Sequence, residues 1–68
     1  MITEIGIIAG EIWHFLEKKG KVSLKKLVKG IDRDEKLVLM SLGWLAREGH
    51  VVIEKKGAYY RVRLRKGK

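Results

Sequence analysis

At Gly49 the hydrophobic period of this 68-residue chain changes, from about 3.6 residues to about 2. Apolar residues recur at helical spacing before that point and alternate after it, so the chain is bound to an α+β arrangement with helices first and a hairpin last. Ile5, Ile8, Ile12, Phe15 and Leu16, with Ala9 and Trp13 beside them, predict a first helix over about 3–19. Thr3 suits its N-cap, Glu4 its first turn, and Lys18, Lys19 and Gly20 its end. Ser23 caps a short helix over about 24–29 that Gly30 stops, and the preceding Val22 suits a short extra strand. Asp32 with Glu35 reads as a capping box for a third helix over about 33–48, with Val38, Leu42 and Leu45 facing inward, Ser41 at the edge and Gly49 ending it. Val51–Glu54 and Tyr59–Leu64 then form two strands of a hairpin over about 51–65, joined by the loop Lys55-Lys56-Gly57-Ala58. Residues 1–68 make one domain without repeat or linker.

A domain of this size buries only about 60% of its unfolded surface and usually leans on a disulfide, a metal or a partner chain. There is no Cys. Disulfides, thiolate zinc sites and cysteine nucleophiles are therefore excluded, and two His cannot complete a four-ligand cage. Dense packing or self-association must stabilise the fold. With 46% hydrophobic and 35% charged residues the chain has enough apolar material to fold and too much charge for a bilayer. Its apolar start, Ile5 to Gly10, is short and flanked by Glu4 and Glu11, so no membrane partner is expected and a cytoplasmic location is. The chain also lacks Pro, Asn and Gln, a composition that resembles hyperthermophile proteins.

The net charge of +8 is unevenly placed. Nine basic and eight acidic residues nearly cancel from Met1 to Glu54, whereas Lys55, Lys56, Arg61, Arg63, Arg65, Lys66 and Lys68 follow without one acid. Such a segment suits a polyanion, through release of counterions from neutralised phosphates, or else a solvated basic tail.

Ser23-Leu24-x-x-Leu27, Ile31 in the turn, and Leu42-x-x-Leu45-x-x-x-Gly49-x-Val51 resemble the winged helix-turn-helix family. With the first helix included, the resemblance covers nearly the whole chain. Ile5-Gly6-x-x-Ala9-Gly10-x-Ile12-Trp13 and Leu42 to Glu48 look more narrowly like a small single-domain winged-helix family of bacteria and archaea with no assigned function. The resemblance implies that the outward face of the third helix enters a major groove and that the hairpin is a wing. It leaves function open, because winged helices also serve as RNA-binding and protein-binding modules.

The outward positions of the third helix are Lys36, Met40, Gly43 and Arg47, of which only the two cations can donate to a base edge. Asp32, Asp34 and Glu35 at its start would repel phosphates. Weak sequence readout is expected. The apolar arc of this helix, from Trp44 and Leu37 to Leu39, spans about 220° and is too wide for one buried face. Either the first helix and the hairpin cover both flanks, or a homodimer is formed through Ile7, Gly10, Leu37, Met40 and Trp44. Gly6 and Gly10 cost about 1 kcal/mol each against Ala and ask for a close contact in return.

The wing carries the stronger signal. Arg61, Arg63 and Arg65 fall on one face about 6.5 to 7 Å apart, near the spacing of phosphates along a strand. Lys55 and Lys56 lie at the tip, and Lys25 and Lys26 with Lys29 on the second helix would extend the track. The competing reading pairs these arginines with Glu48, Glu54 or the acids of a partner chain as surface ion pairs. His14 and His50 are isolated, Ser23 and Ser41 have no neighbouring base, and Tyr59 is the aromatic placed to touch a base or sugar. No cofactor, metal, small-molecule ligand or catalytic set is evident. The expected function is a non-enzymatic DNA-binding module, a regulator or other DNA-associated protein, holding duplex DNA (with RNA as the other nucleic-acid candidate) chiefly through the wing. A homodimeric assembly module without DNA readout is the alternative.

Overall fold

The computed structural model describes residues 2–65. Met1, and Lys66 and Lys68 of the terminal basic run, lie outside the described residues. The elements are α1 (Ile2–Lys19), β1 (Val22–Ser23), α2 (Leu24–Gly30), α3 (Glu35–Arg47), β2 (Val51–Lys56) and β3 (Tyr59–Leu64). One antiparallel sheet has the strand order β1-β3-β2. The brief extension at Val22 is thus a real strand, and β3 is the middle of the sheet rather than a free edge.

Apolar periodicity accounts for the core. Ile8, Ala9, Ile12 and Leu16 of α1, Leu27 of α2, Val38, Leu42 and Leu45 of α3, and Val22, Val51 and Val62 of the sheet are all buried, with Ile31 from the turn. α1 packs along α3 through this set. Ser41 is buried without cost to the apolar interior because its hydroxyl donates to the Leu37 carbonyl at 2.7 Å. Among the described residues no helix is long and apolar enough to cross a membrane.

The helix ends depart from the expected positions in informative ways. α1 begins at Ile2, so Thr3 is inside the helix and is not its cap. Ser23 caps α2 as expected, its Oγ accepting from the Lys26 amide at 3.1 Å. α3 starts at Glu35, two residues later than the capping box at Asp32 would place it, and Asp34 is the cap, accepting from the Lys36 amide at 2.8 Å. The cause is tertiary. Ile31 is buried and Arg33 reaches back to α1, where Nε and Nη2 donate to the two carboxylate oxygens of Glu11 at 3.0 and 2.6 Å. These anchors hold 31–33 in a turn and postpone the helix. At the other end α3 stops at Arg47, and Gly49 (φ +81°) closes it with a Schellman pattern, His50 N–H to Leu45 O and Gly49 N–H to Ala46 O.

Gly30 does not stop α2 as its position suggests, being the last helical residue with Ile31 as the cap. Its backbone is not left-handed. A Cβ there would fall within the Phe15 ring, so the glycine lets α1 close onto α2. The hairpin is also tighter than expected. Lys56 pairs with Tyr59, so the strands continue through Lys55 and Lys56 and only Gly57-Ala58 turns. Gly57 at φ +61° followed by a residue of negative φ is the type II′ solution for a two-residue loop.

Candidate nucleic-acid interface

Pleating sorts the hairpin into two faces. Val62 is buried and pairs with Ile53 and Val22, so these three face the helices, and with them Leu64, Val51, Tyr60 and Lys55. The other face is turned away from the helices and carries Lys56, Tyr59, Arg61, Arg63, Val52 and Glu54. Lys55 and Lys56 therefore part at the tip. Lys55 stands over the Tyr60 ring, Nζ 5.5 Å from its centre, while Lys56 joins the arginine face.

On that outer face Arg61 Nη2 donates to the Tyr59 hydroxyl at 3.2 Å, and Arg63 lies 3.8 Å from the Glu54 carboxylate. The competing ion-pair reading is thus realised at one arginine, by a diagonal contact at the long end of the range and with both side chains about one-third exposed. Such a contact leaves the cation available, because exposed pairs are worth little. Arg65 follows the strand, its amide donating to the His50 carbonyl at 2.9 Å and its guanidinium resting beside Gly49. Arg61 and Arg63 lie within β3 below its tip, and Arg65 lies past its end.

The α2 cations do not form one extension of this track. Lys25 and Lys29 line a groove between α2, the first turns of α3 and the hairpin tip, whereas Lys26 lies about 100° further round the helix. Lys36 and Arg47 are exposed on α3, in the series 36, 40, 43 and 47 that forms one stripe along a helix. Met40 and Gly43 separate them, and Asp32, Asp34 and Glu35 are exposed at the N-terminal end.

Apolar residues stand exposed on both α1 and α3. Ile7 is 53% exposed, Met40 and Trp44 each 48%. Leu37 is instead half-buried against the core. Gly6 and Gly10 make no close contact within the chain, since a Cβ on either would meet nothing within 4 Å. With Ala9 they floor a groove of about 260 Å³ walled by Trp13, Trp44 and His50. Trp13, expected beside the core line, is 37% exposed and meets the His50 ring edge-on at 5.4 Å. His14 lines the outer edge of the same groove, its ring nitrogen 3.6 Å from Glu17. Among the described residues no three His, Cys, Asp or Glu side chains gather as a metal site.

Sequence reasoning did not foresee two features. The Glu11–Arg33 clamp joins residues far apart in the chain, and the groove beside Lys25 and Lys29 draws on three elements. In the clamp the Arg33 hydrogen bonds hold the Glu11 carboxyl below its ordinary range, and Glu11 in turn raises the Arg33 guanidinium.

The chain is similar to known proteins in three respects. The family described as "Winged helix-turn-helix domain (DUF2582)" matches residues 1–64. An uncharacterized protein of Methanocaldococcus jannaschii is 31% identical over 67 residues, covering 96% of each chain. A solution NMR structure of a protein from Bacteroides thetaiotaomicron superposes with a TM-score of 0.80 at 31% identity, covering 91% of this chain and 76% of that one.

Proposed function

The chain belongs to the DUF2582 family of winged helix-turn-helix domains, and from that premise we propose that it is a non-enzymatic DNA-binding module, a transcriptional regulator or other DNA-associated protein. It grips duplex phosphates mainly through the wing, with modest sequence preference. One observation carries this reading. Lys56, Arg61 and Arg63 share the outer face of the sheet against a single carboxylate, Glu54. Cations on a strand face meet phosphates without reading bases. The weak donor set of α3, Lys36 and Arg47 around Met40 and Gly43, supports the low specificity.

The test is a titration of random duplex against salt. The expected log–log slope is about −4 to −6 per dimer, for four to seven phosphates met. Absence of binding at low salt would remove the reading. Duplex RNA in parallel separates the two nucleic acids, and a cytoplasmic site of action goes with either.

A second reading rests on the open α1–α3 face, where Trp44 stands exposed beside the Gly6 and Gly10 floor, and on the exposed Ile7 and Met40 of the same two helices. A homodimer through this face covers apolar surface that a domain of this size can ill leave wet. With DNA contact it is the dimer of the first reading, and without it the protein is an assembly module. Sedimentation at low micromolar concentration should give the dimer mass, and Trp44→Asp should return a folded monomer. A parent chain that sediments as a monomer excludes the dimer in both readings.

A further inference from the structure

A second concave surface lies on the other flank of α3. Leu24 and Val28 of α2, Leu39 of α3, and Ala58, Tyr59 and Tyr60 at the hairpin tip enclose a groove of about 530 Å³. That falls within the range of about 300–1,000 Å³ that small-ligand sites occupy. Leu39 and Tyr60 keep 40% and 44% of their surfaces open, so the apolar walls are wet and gain by being covered. Lys25 and Lys29, one turn apart, line the same groove, and Lys55 approaches the Tyr60 ring from the neighbouring strand. Glu35 is the one acid among the lining residues.

The chemistry of the lining narrows the occupant. Its polar groups are the two lysines, the Glu35 carboxylate and the tyrosine hydroxyls, the rest being apolar. Cations outnumber the acid, which favours an anion. A flat apolar body can lie against Tyr60 between Val28 and Leu39 while a charged end meets the two α2 lysines. We propose that this groove binds a small aromatic carboxylate, with Tyr60, Leu39 and Val28 holding the ring system and Lys25 and Lys29 the carboxylate. An occupant bridges the helical unit and the hairpin tip.

The experiment titrates the full chain, without DNA, with 2-naphthoate and separately with the neutral 2-naphthylmethanol, followed by heteronuclear NMR. Saturable shifts are expected at Leu24, Val28, Leu39 and Tyr60, with the neutral compound binding about tenfold more weakly, the scale of one charge-assisted contact. Lys25→Glu with Lys29→Glu should abolish the preference for the carboxylate. Leu39→Glu, at an exposed position that leaves the core intact, should abolish binding of both compounds. No saturable shift at millimolar naphthoate, equal affinity for the two compounds, or shifts confined to Trp13 and Trp44 would overturn the proposal. Because no DNA is present, each of these results leaves the reading of the wing standing.

Discussion

The outer face of the sheet and the open side of α1 and α3 are both large exposed surfaces on a small domain, and their chemistry is opposite. The sheet gathers Lys56, Arg61 and Arg63 around one carboxylate. The helices gather Trp13 and Trp44 around two bare glycines, with Ile7 and Met40 exposed elsewhere on α1 and α3. Val62 and its neighbours, buried between the sheet and the helices, set the arginines on the face that the helices do not share. The difference teaches which roles can coexist. Lys36, Met40, Gly43 and Arg47 form one stripe on α3, so a partner that buries Met40 takes the flanking cations away from DNA. The sheet carries no such conflict, and a dimer built on the helices leaves the wing free.

Removing charge from each surface in turn has the largest expected effect. Arg61→Ala, Arg63→Ala and Arg65→Ala together should lower duplex affinity at low salt by about 100-fold and flatten the salt dependence, as loss of several phosphate contacts does. Lys36→Ala with Arg47→Ala should cost less than about fivefold, the scale of one phosphate contact. Equilibrium binding by fluorescence anisotropy measures both, and the reverse order would move the interface to α3.

Two glycines sharpen the contrast between closed and open helix faces. Gly30→Ala drives a Cβ into the Phe15 ring and should cost about 2–3 kcal/mol by overpacking, read from urea denaturation. Gly10→Ala meets open space and should stabilise the isolated fold by about 0.5–1 kcal/mol through helix propensity, while weakening self-association. A Gly10→Ala variant as unstable as Gly30→Ala would mean that the groove on α1 is closed.

The smallest effect concerns acid stability and neither face. Arg33 holds the Glu11 carboxyl below its ordinary value of 4.5. A carboxyl lowered on folding contributes stability that is complete above its unfolded value and is lost as pH falls through its folded one. Glu11→Gln should remove that part of the acid-side slope and leave neutral-pH DNA binding unchanged. Denaturation midpoints measured from neutral pH down through the carboxylate range check this, and an unaltered slope would mean that the clamp opens in solution.

Much of the fold was legible because its signals are local. The alternation of Tyr60, Val62 and Leu64 with arginines identified β3 and its two faces, and Val38, Leu42 and Leu45 identified the inward side of α3. Ser23 as a cap and Gly49 as a stop were readable for the same reason, since each acts within a turn of its own position. The candidate interface was legible in part. Its arginines could be named, but the contact of Arg63 with Glu54 and the parting of Lys55 from Lys56 depend on a strand register set by a turn one step tighter than the loop chemistry suggested.

The amino-acid sequence by itself determined the order of the elements, the inward residues of each, the basic terminal segment and the absence of any disulfide or cysteine ligand. It did so because periodicity, capping and composition act over a few residues. The tertiary structure alone decided which flank of the α3 arc is covered and that Asp34 caps the helix in place of Asp32. It also decided that Gly30 serves Phe15, and that residues of α2, α3 and the hairpin tip meet in one groove. Those outcomes turn on contacts such as Arg33 with Glu11, between segments whose approach is set by packing of the whole core and leaves no mark in the local pattern of either one.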